Sequence, residues 1–363
     1  MAEIDFISRL NGYGEMYSAQ TSNLRGINHA RTGTSSPSNQ DSYGFTFFTR
    51  PRLNLSYNNL TASRIMRALR SRDNLSMANA IRVLLDPVSS KDIEDPRDNS
   101  SLVDTNNPFI PVLTNNLLTM SGWPDITVDT YTSKPGIYRE AYSMVDGTAE
   151  IFNTFDITAN FKNVQGDPIT LLFTAWVHYA SMVYTGKMVP YPDAVIENEI
   201  DYNTRIYRFV MDKDHRYIQK MAATGAAFPM ASPLGSVFNF SAENKYSQEN
   251  EQISIPFRCI GANYLDTVLI REFNGLVSEF KLSMSDGNRS FDMVKIDRDM
   301  VSGGIKVGNV IFNYLNHRAY PRINPTTLEL EWWVPRHTFE NALSTLESTG
   351  VIPRISRNDS DFF

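Results

Sequence analysis

The clearest pattern along the chain is a period-two alternation between Ile151 and Phe161. Phe155, Ile157, Ala159 and Phe161 take one side; Thr154, Asp156, Thr158 and Asn160 take the other. Successive side chains of an extended backbone point to opposite faces, so this is the pattern of an antiparallel strand with one buried and one wet face. Similar patterns predict strands at 45–48, 126–131, 205–211, 217–222 and 252–260. Asp212, Lys213 and Asp214 supply a turn that makes 205–222 a hairpin, and turn signals at 134–136 and 146–147 predict a long hairpin leading into 151–161. Pro256 has no N–H to give a ladder, so it is expected at an edge or a bulge.

Helical spacing is strongest after Asp167 and Pro168, where an N-cap and a first-turn proline precede Ile169, Leu172, Phe173, Trp176, Ala180, Val183 and Tyr184, with Gly186 as the stop. Two shorter helices are predicted within 61–86. One follows the caps Thr61 and Ser63 and carries Ile65, Met66 and Leu69; the other follows Ser76 and carries Met77, Ile81, Leu84 and Leu85. Asp73 and Asn74 separate them, and Pro87 ends the second. Beyond Asn274 the pattern predicts strands at 280–282, 308–314 and 328–334, then a short helix capped by Thr338 with Phe339, Ala342, Leu343 and Leu346 on one face. Residues 11–44 are rich in Asn, Ser, Thr and Gly with no periodicity, and 88–107 are polar and charged with scattered prolines. The resulting organisation is an extended arm at 1–44, a first strand, helical insertion and linker at 45–107, a β domain at 108–274 and a C-terminal α+β extension at 275–363. No internal repeat is visible.

Composition narrows the function. The 363 residues are 42% hydrophobic, enough for sizeable cores, and 34 basic against 40 acidic residues give a net charge of −6. That balance argues against a protein whose first task is to grip nucleic acid. Cys259 is alone, so there is neither an internal disulfide framework nor a thiolate cluster for zinc. His29, His178, His215, His317 and His337 are scattered without metal-ligand spacing, and His178 is expected to be a hydrogen-bonded structural residue. Phosphate-binding glycine loops and nucleophile elbows are missing from the sequence, and Ser302 to Gly304 reads as a turn. The carboxylate pairs Glu197/Glu199 and Asp297/Asp299 read as solvated surface. No cofactor, metal or enzyme activity is expected. The N-terminal sequence lacks signal-peptide features, and 169–189 is too interrupted to span a membrane.

One charge feature stands out. Arg50, Arg52, Arg64, Arg67, Arg70, Arg72 and Arg82 face a single acid, Asp73, between positions 50 and 85. Such a face can pair with an acidic surface of another subunit or face DNA; the acidic balance of the chain favours the subunit.

The segment 202–264 resembles the closing part of contractile-phage tail-tube proteins. The resemblance rests on the string 207–211, a turn, 218–223, Gly225-Ala-Ala-Phe-Pro229, Gly235 and the closing strand 253–260 leading to Tyr264, and it extends over 108–265. It implies an α+β fold, mainly an antiparallel β-sandwich or barrel of tail-tube type with a flanking helix, in which 225–229 is a turn. It also implies a homo-oligomeric ring in a virion tail, assembled in the host cytoplasm with other tube, baseplate or sheath proteins and passing DNA through its lumen without a membrane. The arm, the insertion and the C-terminal extension resemble those of baseplate proteins that initiate the tube. A main tail tube protein of a large phage is the alternative, and a soluble enzyme or binding module with an unrelated sandwich is the alternative of another class.

Overall fold

The computed structural model describes residues 44–71, 73–89, 100–147, 153–212, 214–238, 251–302 and 305–353. The predicted arm up to Tyr43, residues 90–99 of the linker, Arg72, His29, Lys213, the start of the 151–161 strand and Gly303–Gly304 lie outside them.

Six antiparallel strands form the main sheet: β1 (Gly44–Phe48), β2 (Leu117–Ser121), β5 (Thr154–Lys162), β6 (Ile206–Met211), β7 (Ile218–Pro229) and β8 (Gln252–Tyr264), in the order β1-β6-β7-β8-β5-β2. The alternation read in 155–161 is realised in β5, where Ile157, Ala159 and Phe161 are fully buried. The sheet is curled. β1 and β5 are four strands apart, about 19 Å in a flat sheet at ~4.8 Å per strand. Yet the Phe48 ring lies 5.7 Å from that of Phe161 and 5.9 Å from that of Phe257.

Two cores share this sheet, and β1 feeds both. Phe48 joins Phe161, Phe257, Ile255 and the helix α4 (Pro168–Tyr184), whose Phe173 and Trp176 fill the curl. Its neighbour Phe47, pointing to the opposite face, joins Tyr207, Phe209, Met221 and the helix α6 (Val268–Phe280), through Ile270 and Phe273. Ala223 and Ala227 of β7 would share a face under strict alternation, but they enter different cores, with Gly225 between them. Across the ladder, Gly261 has φ +68°, and a Cβ on Gly225 would come within 2.7 Å of the Ile260 carbonyl oxygen. Glycine is required there for the two strands to change which core they face.

Three helices precede the second half of the sheet: α1 (Tyr57–Ala62), α2 (Met77–Leu85) and α3 (Pro111–Asn116). Between α1 and α2 the predicted helix at 65–69 is a 3-10 turn, Ile65–Arg70. A small sheet of β9 (Met293–Lys295), β10 (Tyr320–Ile323) and β11 (Leu330–Pro335) backs the second core, while α7 (Gly308–Leu315) and α8 (Arg336–Ser348) enclose a third around Ile311, Val334 and Phe339.

Several expectations are corrected. Residues 225–229 are the end of β7, not a turn. The 280–282 strand is the end of α6 and a 3-10 turn, and the 308–314 strand is α7, because Ile311 and Leu315 fall one helical turn apart on the buried face. Thr338 lies inside α8, whose N-cap is Pro335. Tyr184 is not on the apolar face of α4 but 93% exposed. Asp167 precedes α4 with φ +48°, but its side chain accepts from Asn163 at 2.6 Å instead of capping. The hairpin at 126–147 does not pair with β5: β3 (Thr130–Thr132) and β4 (Ser143–Val145) form a separate two-stranded ribbon. Pro256 sits inside the sheet, opposite Thr158 of β5. It is tolerated because β7 ends at Pro229, and on that side Pro256 only accepts, from the Met230 N–H at 2.9 Å.

Candidate functional site

The candidate site is a set of surfaces. The two sheet edges differ. The outer side of β1 is partly satisfied within the subunit, where the Ile110 N–H donates to the Phe48 carbonyl at 2.9 Å and the Arg50 N–H to the Pro108 carbonyl at 2.9 Å. β2 pairs with β5 on one side and with no other strand among the described residues, and its Leu118 is 47% exposed. An edge of this kind offers a row of backbone donors and acceptors to another chain.

The wet face of β5 and β8 is polar and locally neutralised. Arg258 donates to Asp156 at 2.9 Å and to the Thr154 hydroxyl at 3.0 Å, and Asn160 donates to Thr119 at 2.7 Å. Asp156 compensates Arg258 on this face, which otherwise presents hydroxyls and amides, with Lys162 exposed at the end of β5.

Among the described residues the β3–β4 ribbon is the most exposed apolar feature. Ile137 is 95% exposed and Tyr138 is 91% exposed at its tip, where Gly136 and Arg139 close a turn and Arg139 takes φ +61°. Tyr131, Tyr142, Met144 and Val145 extend the bare surface down the ribbon. Sequence reasoning located the turn but not its apolar tip; the signal was Ile137 and Tyr138 directly after Pro135 and Gly136, where turns normally carry polar residues.

The arginines do not share one surface. Arg50 is buried: its guanidinium donates to the Leu84 carbonyl at 3.0 Å, Thr105 at 3.1 Å, Asn107 at 3.2 Å and Val83. It thereby satisfies the last-turn carbonyls of α2, where a cation is favoured by the helix dipole. Burial lowers its pKa to about 10, opposed by Asp86 and Asp104, so it stays charged at neutral pH. Arg82 is buried too. Both therefore leave the proposed basic face for the interior. Arg52 pairs with Glu279 at 2.8 Å, and Arg70 lies 4.1 Å over the Tyr57 ring. Arg64 and Arg67 remain exposed on one short segment.

The buried polar groups have structural partners. Asp86 accepts from Leu55 N–H at 3.0 Å, Ser89 N–H at 3.0 Å and the Tyr191 hydroxyl at 2.9 Å, and burial pushes its carboxyl up to about 6. Tyr179 donates to Asp201 and accepts from Asn54 N–H at 3.1 Å. His178 meets the Ser63 hydroxyl at 2.7 Å, and desolvation lowers its pKa. Burial raises the Cys259 thiol to about 12, which leaves it unreactive. Glu197 and Glu199 are exposed, Asp297 accepts from the Asp299 N–H at 2.9 Å, and Asp299 pairs with Arg216 at 2.5 Å. Among the described residues no cluster of potential ligands could hold a metal ion, and no helix is long and apolar enough to cross a membrane.

Comparison with curated proteins finds no match. Solved structures to which the chain is similar include three from contractile injection systems and a prophage. The anti-feeding prophage cap, a tube terminating cap, has 15% identity, covers 43% of this chain and 81% of its own, and has a TM-score of 0.26. In the sheath-tube complex of the PVC extracellular contractile injection system in its extended state, a chain shows 15% identity, 43% and 82% coverage and a TM-score of 0.27. The sheath/tube terminator of that system gives 14%, 44% and 86%, with a TM-score of 0.24. The family described as "Putative phage tail tube protein" matches residues 2–349. With nearly its whole length matched, the chain belongs to this phage tail tube protein family.

Proposed function

We propose that the chain is a structural, non-enzymatic subunit of a contractile phage tail, forming a homo-oligomeric ring whose curled sheet contributes to the wall of the tube. The observation that carries this reading is the open β2 edge of a curled sheet whose opposite edge, β1, is partly satisfied inside the subunit. A neighbouring copy that continues the sheet at β2 would satisfy it and close a barrel around the ring axis. The polar face of β5 and β8, where Asp156 compensates Arg258, would then border a lumen through which DNA passes. The β3–β4 ribbon, with its apolar tip, supplies a further contact to an adjacent subunit or ring.

A baseplate initiator and a main tube subunit share this architecture. The initiator reading rests on the added helices and the C-terminal lobe. The family match over residues 2–349 takes in the arm and the lobe and is compatible with either reading. Electron microscopy of the purified protein at rising concentration, alone and with a second tube protein of the same genome, separates them. Long tubes from this chain alone support the main subunit, and single rings that seed tubes of the other protein support the initiator. Monomers that do neither overturn both.

A further inference from the structure

Two patches on the described surface combine bare apolar side chains with charge of one sign, and their signs are opposite. The first lies on the 3-10 turn Ile65–Arg70 and the residue before it: Arg64 and Arg67 are exposed, and Ile65 between them is 62% exposed. No acidic residue occurs between positions 51 and 72. The second lies on the helix α5 (Pro192–Ile196) and its exit, where Glu197 and Glu199 are exposed and Ile196 and Ile200 are 76% and 50% exposed. No basic residue occurs between positions 188 and 204. A groove of about 600 Å³ opens beside the acidic segment, lined by Asp193, Glu197 and Glu199 and also by Arg50, Arg52 and Arg205, of which Arg52 pairs with Glu279 and Arg205 with Glu272.

We propose that the acidic, apolar face of α5 docks on the Arg64–Arg67 turn of a second copy of this chain. Scattered exposed apolar residues need no explanation, but isoleucine flanked by like charges on two separate segments is the composition of an interface core with a charged rim. Charge complementarity chooses the occupant: like patches repel, so neither segment pairs with itself, and each finds its opposite on another copy. A contact between two different patches of identical chains is heterologous, and heterologous contacts repeat head to tail until the rotation closes a ring. The charges set register and encounter rate, and the isoleucines supply the buried area. The contact rests on the ring reading above and adds to it a second inter-subunit seam outside the sheet edges.

Charge exchange tests it. One variant carries Arg64→Glu with Arg67→Glu, the other Glu197→Arg with Glu199→Arg; all four positions are exposed, and circular dichroism melts check that both remain folded. Sedimentation velocity and electron microscopy should show each variant alone needing at least about tenfold more protein than wild type to assemble. An equimolar mixture should assemble near the wild-type concentration, because every junction between unlike variants restores opposite charges. Variants that assemble as wild type does, or a mixture that fails while wild type forms rings, overturn this contact and leave the ring reading standing. Wild-type protein that stays monomeric at every concentration overturns the ring reading and this contact together.

Discussion

The hairpin β6–β7 buries Tyr207, Phe209, Met211 and Met221 between the sheet and α6, whereas the β3–β4 ribbon leaves Tyr131, Ile137, Tyr138, Tyr142 and Met144 in water. Both are antiparallel hairpins of similar apolar content. They differ in what lies against them: α6 and the C-terminal sheet cover the first, and no described element covers the second. The contrast separates residues that make the subunit from residues that await a partner. The arginines repeat the lesson at the level of single side chains. Arg50 is held by four backbone carbonyls, while Arg64 and Arg67 face solvent.

The contrast breaks most visibly in the second core. Phe209→Ala removes a fully buried ring that lies 5.2 Å from Phe273 and 5.7 Å from Phe47. It should cost about 3–5 kcal/mol in urea unfolding. A loss near zero would mean that this core does not hold the subunit together.

Asp86 provides a pH signature of the first core's polar seam. Burial raises its pKa from 3.8 to about 6, so the native state holds this proton more tightly than the unfolded chain does. The stability it contributes is full below about pH 3.8 and lost as pH rises through about 6. Wild type minus Asp86→Asn, followed by thermal unfolding across that window, should show a decline approaching about 3 kcal/mol. A flat difference would mean that Asp86 is solvated.

Tyr179→Phe strands the Asp201 carboxyl and the Asn54 N–H beside α4. It should destabilise by about 1–3 kcal/mol, measured by the shift in urea midpoint at constant m-value. At the other extreme, Ile137→Ser with Tyr138→Ser removes only exposed surface. Monomer stability should change by less than about 0.5 kcal/mol, while the concentration needed for assembly should rise. A substantial fall in the melting temperature of the monomer would place the ribbon among the elements that hold the subunit together.

The sequence made legible those elements whose burial is one-sided. β5 alternates because only one of its faces is covered, and α4 shows its stripe between a proline start and Gly186. The strand character of β6 and β7 was readable, but not their length, since Gly225 and Pro229 look like turn residues and serve instead as a close-approach point and a strand end. The helix α6 escaped although Leu269, Ile270, Phe273, Val277 and Phe280 keep helical spacing, because it follows β8 almost without a break. In α7 the run Val310, Ile311, Phe312 imitates a strand, and tertiary packing of Ile311 and Leu315 overrides that local preference. The arginine content of 50–82 was plain, but which arginines are interior depends on α2 ending beside Arg50, a long-range fact that no local pattern carries.

The most direct measurement is amide hydrogen exchange compared between the dilute subunit and the assembled protein. Protection should be gained along Leu117–Ser121 and across the ribbon from Thr130 to Val145, with little change in Ile206–Met211, which is already buried within the subunit. Assembled protein whose β2 and ribbon amides exchange as fast as in the dilute subunit would contradict the assignment of these surfaces to the tube wall.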